Sequence, residues 1–169
     1  MLKRTGNVKI VDIGSAYEMD DPPASRSCTP RYAAPEVLEG LPSTPQSDLA
    51  SLGYVLVELL SGKPIFDGSQ TCHDLLEAKR FIAQKLDEVL PGEVTCNELL
   101  MKFIYRMIAP DPSRRFSSAE VADYFQDGAV AFQRQLIKGN LATEYEVEIR
   151  SWIEAVHEID EKQGLPKQR

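Results

Sequence analysis

The chain has 169 residues, 43% of them apolar, enough for one sizeable buried core and a tail. Its 26 acidic and 19 basic residues give a net charge of −7, which argues against a nucleic acid or an anionic membrane surface as the main partner, since both recruit clustered Lys and Arg. No apolar run approaches the roughly 20 residues of a membrane-spanning helix. The basic start Met1-Leu2-Lys3-Arg4 leads into polar residues, not into a signal-peptide core. Cys28, Cys72 and Cys96 are odd in number and far apart, so they read as free thiols in a reducing, cytoplasmic compartment. His73 and His157 have no Cys or second His at ligand spacing, and zinc is not expected.

In chain order, Val8-Lys9-Ile10-Val11 follows the turn-like Thr5-Gly6-Asn7 and predicts a strand, half of a small hairpin. Residues 15 to 33 are rich in Ser, Pro and Asp and predict a loop long enough to be functional or disordered. A second connection covers residues 40 to 47, with Pro42 and Pro45. Leu49, Leu52, Tyr54, Val55, Leu56, Val57, Leu59 and Leu60 then surround a helix on every side, stopped by Gly62 and Pro64. A helix apolar all round and too short to span a membrane predicts the buried centre of a domain.

Residues 74 to 90 are amphipathic and predict a further helix. Thr95-x-x-Glu98 and Ser117-x-x-Glu120 each read as a capping box before a helical segment, and Ala109-Pro110-Asp111-Pro112 interrupts between them. From residue 128 the character changes. A last helix is predicted from residue 141 to about residue 162, where Tyr145, Ile149, Trp152, Val156 and Ile159 form one apolar stripe on an acidic helix. That stripe either packs back on the domain or binds a protein partner or a second copy.

Four short words carry the chemistry. Asp12-Ile13-Gly14 is an acidic turn after the predicted strand, a place from which a carboxylate can reach Mg²⁺ on nucleotide phosphates. Alone it means little, because such turns are common. It is followed by Cys28-Thr29-Pro30-Arg31-Tyr32-Ala33-Ala34-Pro35-Glu36, then Ser47-Asp48-Leu49-Ala50-Ser51-Leu52-Gly53, then Asp111-Pro112-Ser113-Arg114-Arg115-Phe116-Ser117.

In order and spacing these resemble the Asp-Phe-Gly turn, the Gly-Thr-Pro-x-Tyr-x-Ala-Pro-Glu close of the activation segment, the opening of the central helix and the Asp-Pro-x-x-Arg segment of serine/threonine protein kinases. The resemblance covers roughly residues 1 to 127. It implies a mainly α fold: a protein-kinase-like C-lobe helical domain with a small N-terminal β element, over residues 1–127, plus a helical C-terminal extension, 128–169. Ile13 stands for the usual Phe and Cys28 for the usual Gly; neither change removes a catalytic group.

The resemblance also implies roles. Asp12 would be the Mg²⁺ ligand. Thr29 would sit in the substrate-docking loop, where a threonine favours Ser/Thr substrates. Glu36 and Arg115 would form a buried ion pair anchoring the activation segment, which agrees with the cost of an unpaired charge entering an apolar core. Asp48 would support the catalytic loop from the start of the central helix. Ser25, Ser27 and Thr29, around Arg26, are candidate phosphate acceptors or plain solvated hydroxyls.

The family's Gly-rich loop, strand lysine, catalytic-loop Asp and second metal-binding Asn have no counterpart in this sequence and would precede Met1. The parent family uses ATP and Mg²⁺ to phosphorylate protein hydroxyls; the chain by itself is expected to bind neither productively and to be inactive, because phosphoryl transfer requires both reactants to be positioned. The expected partners are a protein substrate, a missing N-lobe polypeptide and a protein contact through the tail helix. The alternative is a catalytically inactive, kinase-derived interaction module.

Overall fold

A computed structural model describes residues 10–11, 13–22 and 28–122, and singly Arg134, Lys138, Ser151 and Ala155. Asp12, Ser25, Ser27, half of the predicted strand and the apolar stripe of the tail lie outside these residues. Two compact units divide the chain: residues 19–132, described below, and Met1–Glu18 with Gln133–Arg169. Within the second unit, the four described tail residues are helical, and Ile10 and Val11 are in irregular chain. No strand occurs among the described residues, so the small β element is not seen where it could be, at Ile10 and Val11.

Every regular element described in the larger unit is a helix. Its elements are α1 (Pro35–Leu38), α2 (Pro45–Ser61), α3 (Cys72–Phe81), a 3-10 turn (Ile82–Lys85), α4 (Leu86–Val89), α5 (Gly92–Thr95), α6 (Glu98–Met107), a second 3-10 turn (Pro112–Arg114) and α7 (Ser118–Ala122). This is the mainly α architecture that the sequence implies.

α2 starts earlier than its apolar residues suggest, which shortens the predicted connection before it. Thr44 is its N-cap: Thr44 Oγ1 accepts from Ser47 N–H and Ser47 Oγ accepts from Thr44 N–H, with Pro45 at the first helical position. Gly62, at φ 66°, ends it in the left-handed conformation that glycine adopts without strain. The helix is not buried all round. Ala50, Gly53, Tyr54 and Val57 face the core, whereas Leu52 and Leu59 on the opposite side are 57% and 74% exposed. Among the described helices α6 and α7 pack against α2, and an apolar pattern alone does not say which face is met.

The predicted helix over residues 74 to 90 is instead α3, a 3-10 turn and α4. α3 carries a capping box between Thr71 and Asp74. The expected box at Thr95 and Glu98 is a correction. Thr95 lies inside α5, where its hydroxyl donates to the Gly92 carbonyl; Asn97 caps α6 by accepting from Leu100 N–H. An Asx oxygen next to the helix outcompetes a threonine two residues further out. The box at Ser117 and Glu120 forms in both directions.

α6 lies against α2 at Gly53. A Cβ there would stand 2.8 Å from Ile108 Cγ2 and 2.9 Å from Met107 Cβ. Gly53→Ala is therefore expected to destabilise: overpacking costs about 1–3 kcal/mol, offset by about 1 kcal/mol of helix propensity. A urea titration followed by circular dichroism checks the sign; a more stable Gly53→Ala chain would show that the two helices part freely.

Candidate functional site

The stretch from Cys28 to Glu36 is where the sequence placed its chemistry, and every described helix that it touches holds it. Its first part is a turn. The Tyr32 and Ala33 amides both donate to the Thr29 carbonyl, at 2.9 Å each. Thr29 and Cys28 are exposed, as are the Cys72 and Cys96 thiols, and all three cysteines are free. Two side chains of the turn reach the same carboxylate on α2: Arg31 Nη2 donates to Glu58 Oε1 at 3.0 Å, and the Tyr32 hydroxyl donates to it at 3.3 Å. α1 then begins at Pro35 and carries Glu36 into the core.

Glu36 meets Arg115 in a bidentate pair, with Nη1 to Oε1 at 2.7 Å and Nη2 to Oε2 at 2.8 Å. The Arg115 side chain is fully buried. Its remaining N–H groups go to the carbonyls of Ala109 at 2.6 Å, Gln46 at 3.1 Å and Pro110 at 3.0 Å. All five guanidinium donors are thus satisfied, the condition under which a buried arginine is tolerated. Ser47 Oγ donates to Glu36 Oε1 at 2.7 Å. Since its one proton goes there, Thr44 Oγ1 must be the donor in the 3.2 Å contact between the two hydroxyls. The cap of α2 therefore also orients the serine that holds Glu36.

Burial raises the Glu36 pKa, but the hydrogen bonds from Arg115 and Ser47 outweigh it and leave the carboxyl below its usual range. Asp48, one residue on, differs. It lies on the first turn of α2, exposed, its carboxylate with no hydrogen-bond or ion-pair partner among the described residues, and partial shielding from water raises its pKa. Tyr54, beneath, is fully buried and its hydroxyl has no hydrogen-bond partner among the described residues. Burial drives its pKa up. Tyr54→Phe removes an unpaired buried hydroxyl while keeping the ring, so it is expected to stabilise the chain by about 1–3 kcal/mol. A lowered urea midpoint in that variant would mean that the hydroxyl has a partner.

A family model described as the protein kinase domain matches residues 1–125. The chain belongs to the protein kinase family. Among its curated relatives are the serine/threonine-protein kinase PAK mbt of Drosophila melanogaster, 30% identical over 72% of this chain and 19% of that protein, and the SNF1-related protein kinase catalytic subunit alpha KIN12 of Arabidopsis thaliana, 34% identical over 70% of this chain and 23% of that protein. The serine/threonine-protein kinase PAK 4 of Homo sapiens is 29% identical over 72% of the chain and 20% of its own length. The chain spans about a fifth of the length of these relatives.

In this kinase chain the structure brings Glu36 and Arg115 together, with Ser47 as a third member that the sequence reading did not single out. Thr29 stands on the exposed side of the same segment, and Asp48 about one helical turn from Thr44 but apart from the pair. The reading also missed Lys79. It is wholly buried on α3, with no carboxylate partner among the described residues. Its signal was there: Leu75, Lys79 and Ile82 follow the 4-then-3 spacing of a buried stripe, and all three are buried. Burial pulls the Lys79 ammonium down to about 7.

Among the described residues no three His, Cys, Asp or Glu side chains converge on a metal position, and Asp12 lies outside them. No described helix is long and apolar enough to cross a membrane.

Proposed function

We propose that the chain is the activation segment and helical lobe of a serine/threonine protein kinase, whose reaction is ATP- and Mg²⁺-dependent phosphoryl transfer to protein hydroxyls. The observation that carries this is the fully bonded Glu36–Arg115 pair closing the segment whose exposed turn contains Thr29. A turn with its backbone, two side chains and closing carboxylate all anchored is what presenting a peptide hydroxyl in one geometry requires. On this reading residues 29–33 dock the substrate, with Thr29 favouring serine or threonine, Asp48 supports the catalytic loop, and Ser25, Ser27 or Thr29 accept an activating phosphate. Asp12 is the residue that would hold Mg²⁺ on the nucleotide phosphates. Residues 1–127 are the kinase part and 128–169 a helical extension for protein contact.

The 169 residues contain no Gly-rich loop, strand lysine or catalytic-loop aspartate in the family's pattern, so they transfer no phosphate by themselves. The three exposed free thiols support a reducing, cytoplasmic setting.

Translating the DNA upstream of Met1 in every frame is expected to give a Gly-rich loop and a catalytic-loop aspartate. The longer chain, expressed whole, then phosphorylates serine or threonine with Mg²⁺-ATP, and Asp12→Asn abolishes transfer. A longer chain with every element in place and no transfer would sink the kinase reading; transfer by the 169 residues alone would sink the division of labour. A second reading, a free-standing interaction module, is favoured by one observation: residues 19–132 carry a buried core of their own. Lack of any upstream kinase sequence would leave that reading standing.

A further inference from the structure

Lys79 is the buried charge that the kinase reading leaves unused. Its Nζ donates to the Arg31 carbonyl at 2.7 Å and to the Ala33 carbonyl at 2.8 Å, reaching 48 and 46 residues back along the chain. It stands 4.2 Å from the Tyr54 ring centroid and 4.5 Å from that of Phe66. Those two rings meet edge to face, at 5.3 Å and 84°. A methionine or leucine would occupy the same inner stripe of α3 with no charge to desolvate, and burying an unpaired ammonium is expensive. Packing therefore gives no reason for a lysine here. What lysine adds is donors, and both bonded donors go to the backbone of one turn.

We propose that Lys79 is a positioning residue that fixes the backbone of the substrate-docking turn, residues 29–33, with Tyr54 and Phe66 forming the aromatic cage that keeps its ammonium in place; the term substrate-docking rests on the reading above. The turn is held from two sides. Its carbonyls at Arg31 and Ala33 are taken by α3, while its Arg31 and Tyr32 side chains are taken by Glu58 on α2. Ring faces attract an ammonium, and carbonyl dipoles do the same. Loss of the proton leaves an amine with two N–H groups, as many as the two carbonyls use, so the clamp persists in either protonation state.

The test is hydrogen exchange on the full 169-residue chain, wild type against Lys79→Met. The Tyr32 and Ala33 amides, both bonded to the Thr29 carbonyl, report the turn; the Ile104 and Met107 amides of α6 report the core. In Lys79→Met the turn amides are expected to exchange about tenfold faster while the core amides and the urea midpoint hold or improve. A purely structural lysine would move both sets together. Turn protection that stays at the wild-type level, or falls only in step with α6, overturns the proposal.

Should Lys79→Met fail to fold, nuclear magnetic resonance of the wild-type chain decides. A slowly exchanging Lys79 amine coupled across hydrogen bonds to the Arg31 and Ala33 carbonyl carbons is expected, and a freely exchanging one refutes it. Either readout is taken on the turn itself. It therefore stands apart from failure of the kinase reading, which appears as absent phosphoryl transfer by the longer chain.

Discussion

Arg115→Met lowers the stability of the helical unit by about 3–5 kcal/mol, because it leaves Glu36 charged and buried without its partner. The loss is large against the 5–15 kcal/mol that holds a typical domain together, roughly. It is not the net worth of the pair. Glu36→Met combined with Arg115→Met removes both charges and is expected to recover most of the loss; Glu36→Gln falls between. The three carbonyls that Arg115 also serves, on Ala109, Gln46 and Pro110, limit that recovery, since each loses a donor in a partly buried place. Urea unfolding of wild type, Arg115→Met, Glu36→Met and the double variant gives the cycle. A double variant no better than Arg115→Met would assign the cost to those carbonyls and not to the stranded carboxylate.

The same pair sets an acid limit. The folded Glu36 carboxyl titrates below its ordinary value of 4.5, so as the pH falls the unfolded chain takes up the proton first. Stability is then present above that value and is lost as the pH drops through the folded pKa. Glu120, bonded to Ser117 and Arg106 and pulled down to about 2, acts with the same sign. Asp48, whose pKa is raised, acts with the opposite sign at the upper end of the range. Glu36→Gln should therefore flatten the acid limb of a stability-against-pH curve, and an unchanged slope would count against the pair as its source.

What was legible in the sequence depends on how local the information is. The four motifs could be read because each is a short run whose residues stand at the family's spacing within a few positions. Glu36 and Arg115 could be paired because the family resemblance implies the pair, in agreement with the cost of leaving a charge unpaired next to apolar chain. The mainly α character followed from periodicity, and the stop at Gly62 from its place after the last apolar residue. The caps were read less well, for a chemical reason: a Thr-x-x-Glu search passes over Thr44 and Thr71, whose third-position partners are Ser47 and Asp74, and it accepts Thr95, which Asn97 displaces. The break of residues 74 to 90 into three pieces has no Pro or Gly to announce it. The exposed side of α2 and the carbonyl partners of Lys79 are illegible for a common reason. Both depend on which element comes to lie alongside, and neither an apolar residue nor a lysine on a helix states its neighbour.

Phe116→Ala is expected to cost about 3–5 kcal/mol, the range for emptying a buried aromatic site. Phe116 is fully buried, its ring centroid 5.4 Å from that of Phe103 on α6, with the Arg106 guanidinium 4.0 Å over its face. Arg106 in turn bonds Glu120 on α7, so one ring seats α6, α7 and the chain between them. Its position directly after Arg115 gives the substitution a second consequence. The five bonds of Arg115 require the backbone at residues 115 and 116 to stay where the ring seats it, and a cavity under residue 116 lets that backbone shift. Substitutions at neighbouring sites couple, so Phe116→Ala with Arg115→Met should cost less than the sum of the two. Strict additivity in urea unfolding would mean that Arg115 holds the segment without the ring beneath it. A shortfall of about 1 kcal/mol or more would mean that the anchoring pair and the aromatic core act as one unit, and that the segment ending at Glu36 is only as well fixed as Phe116.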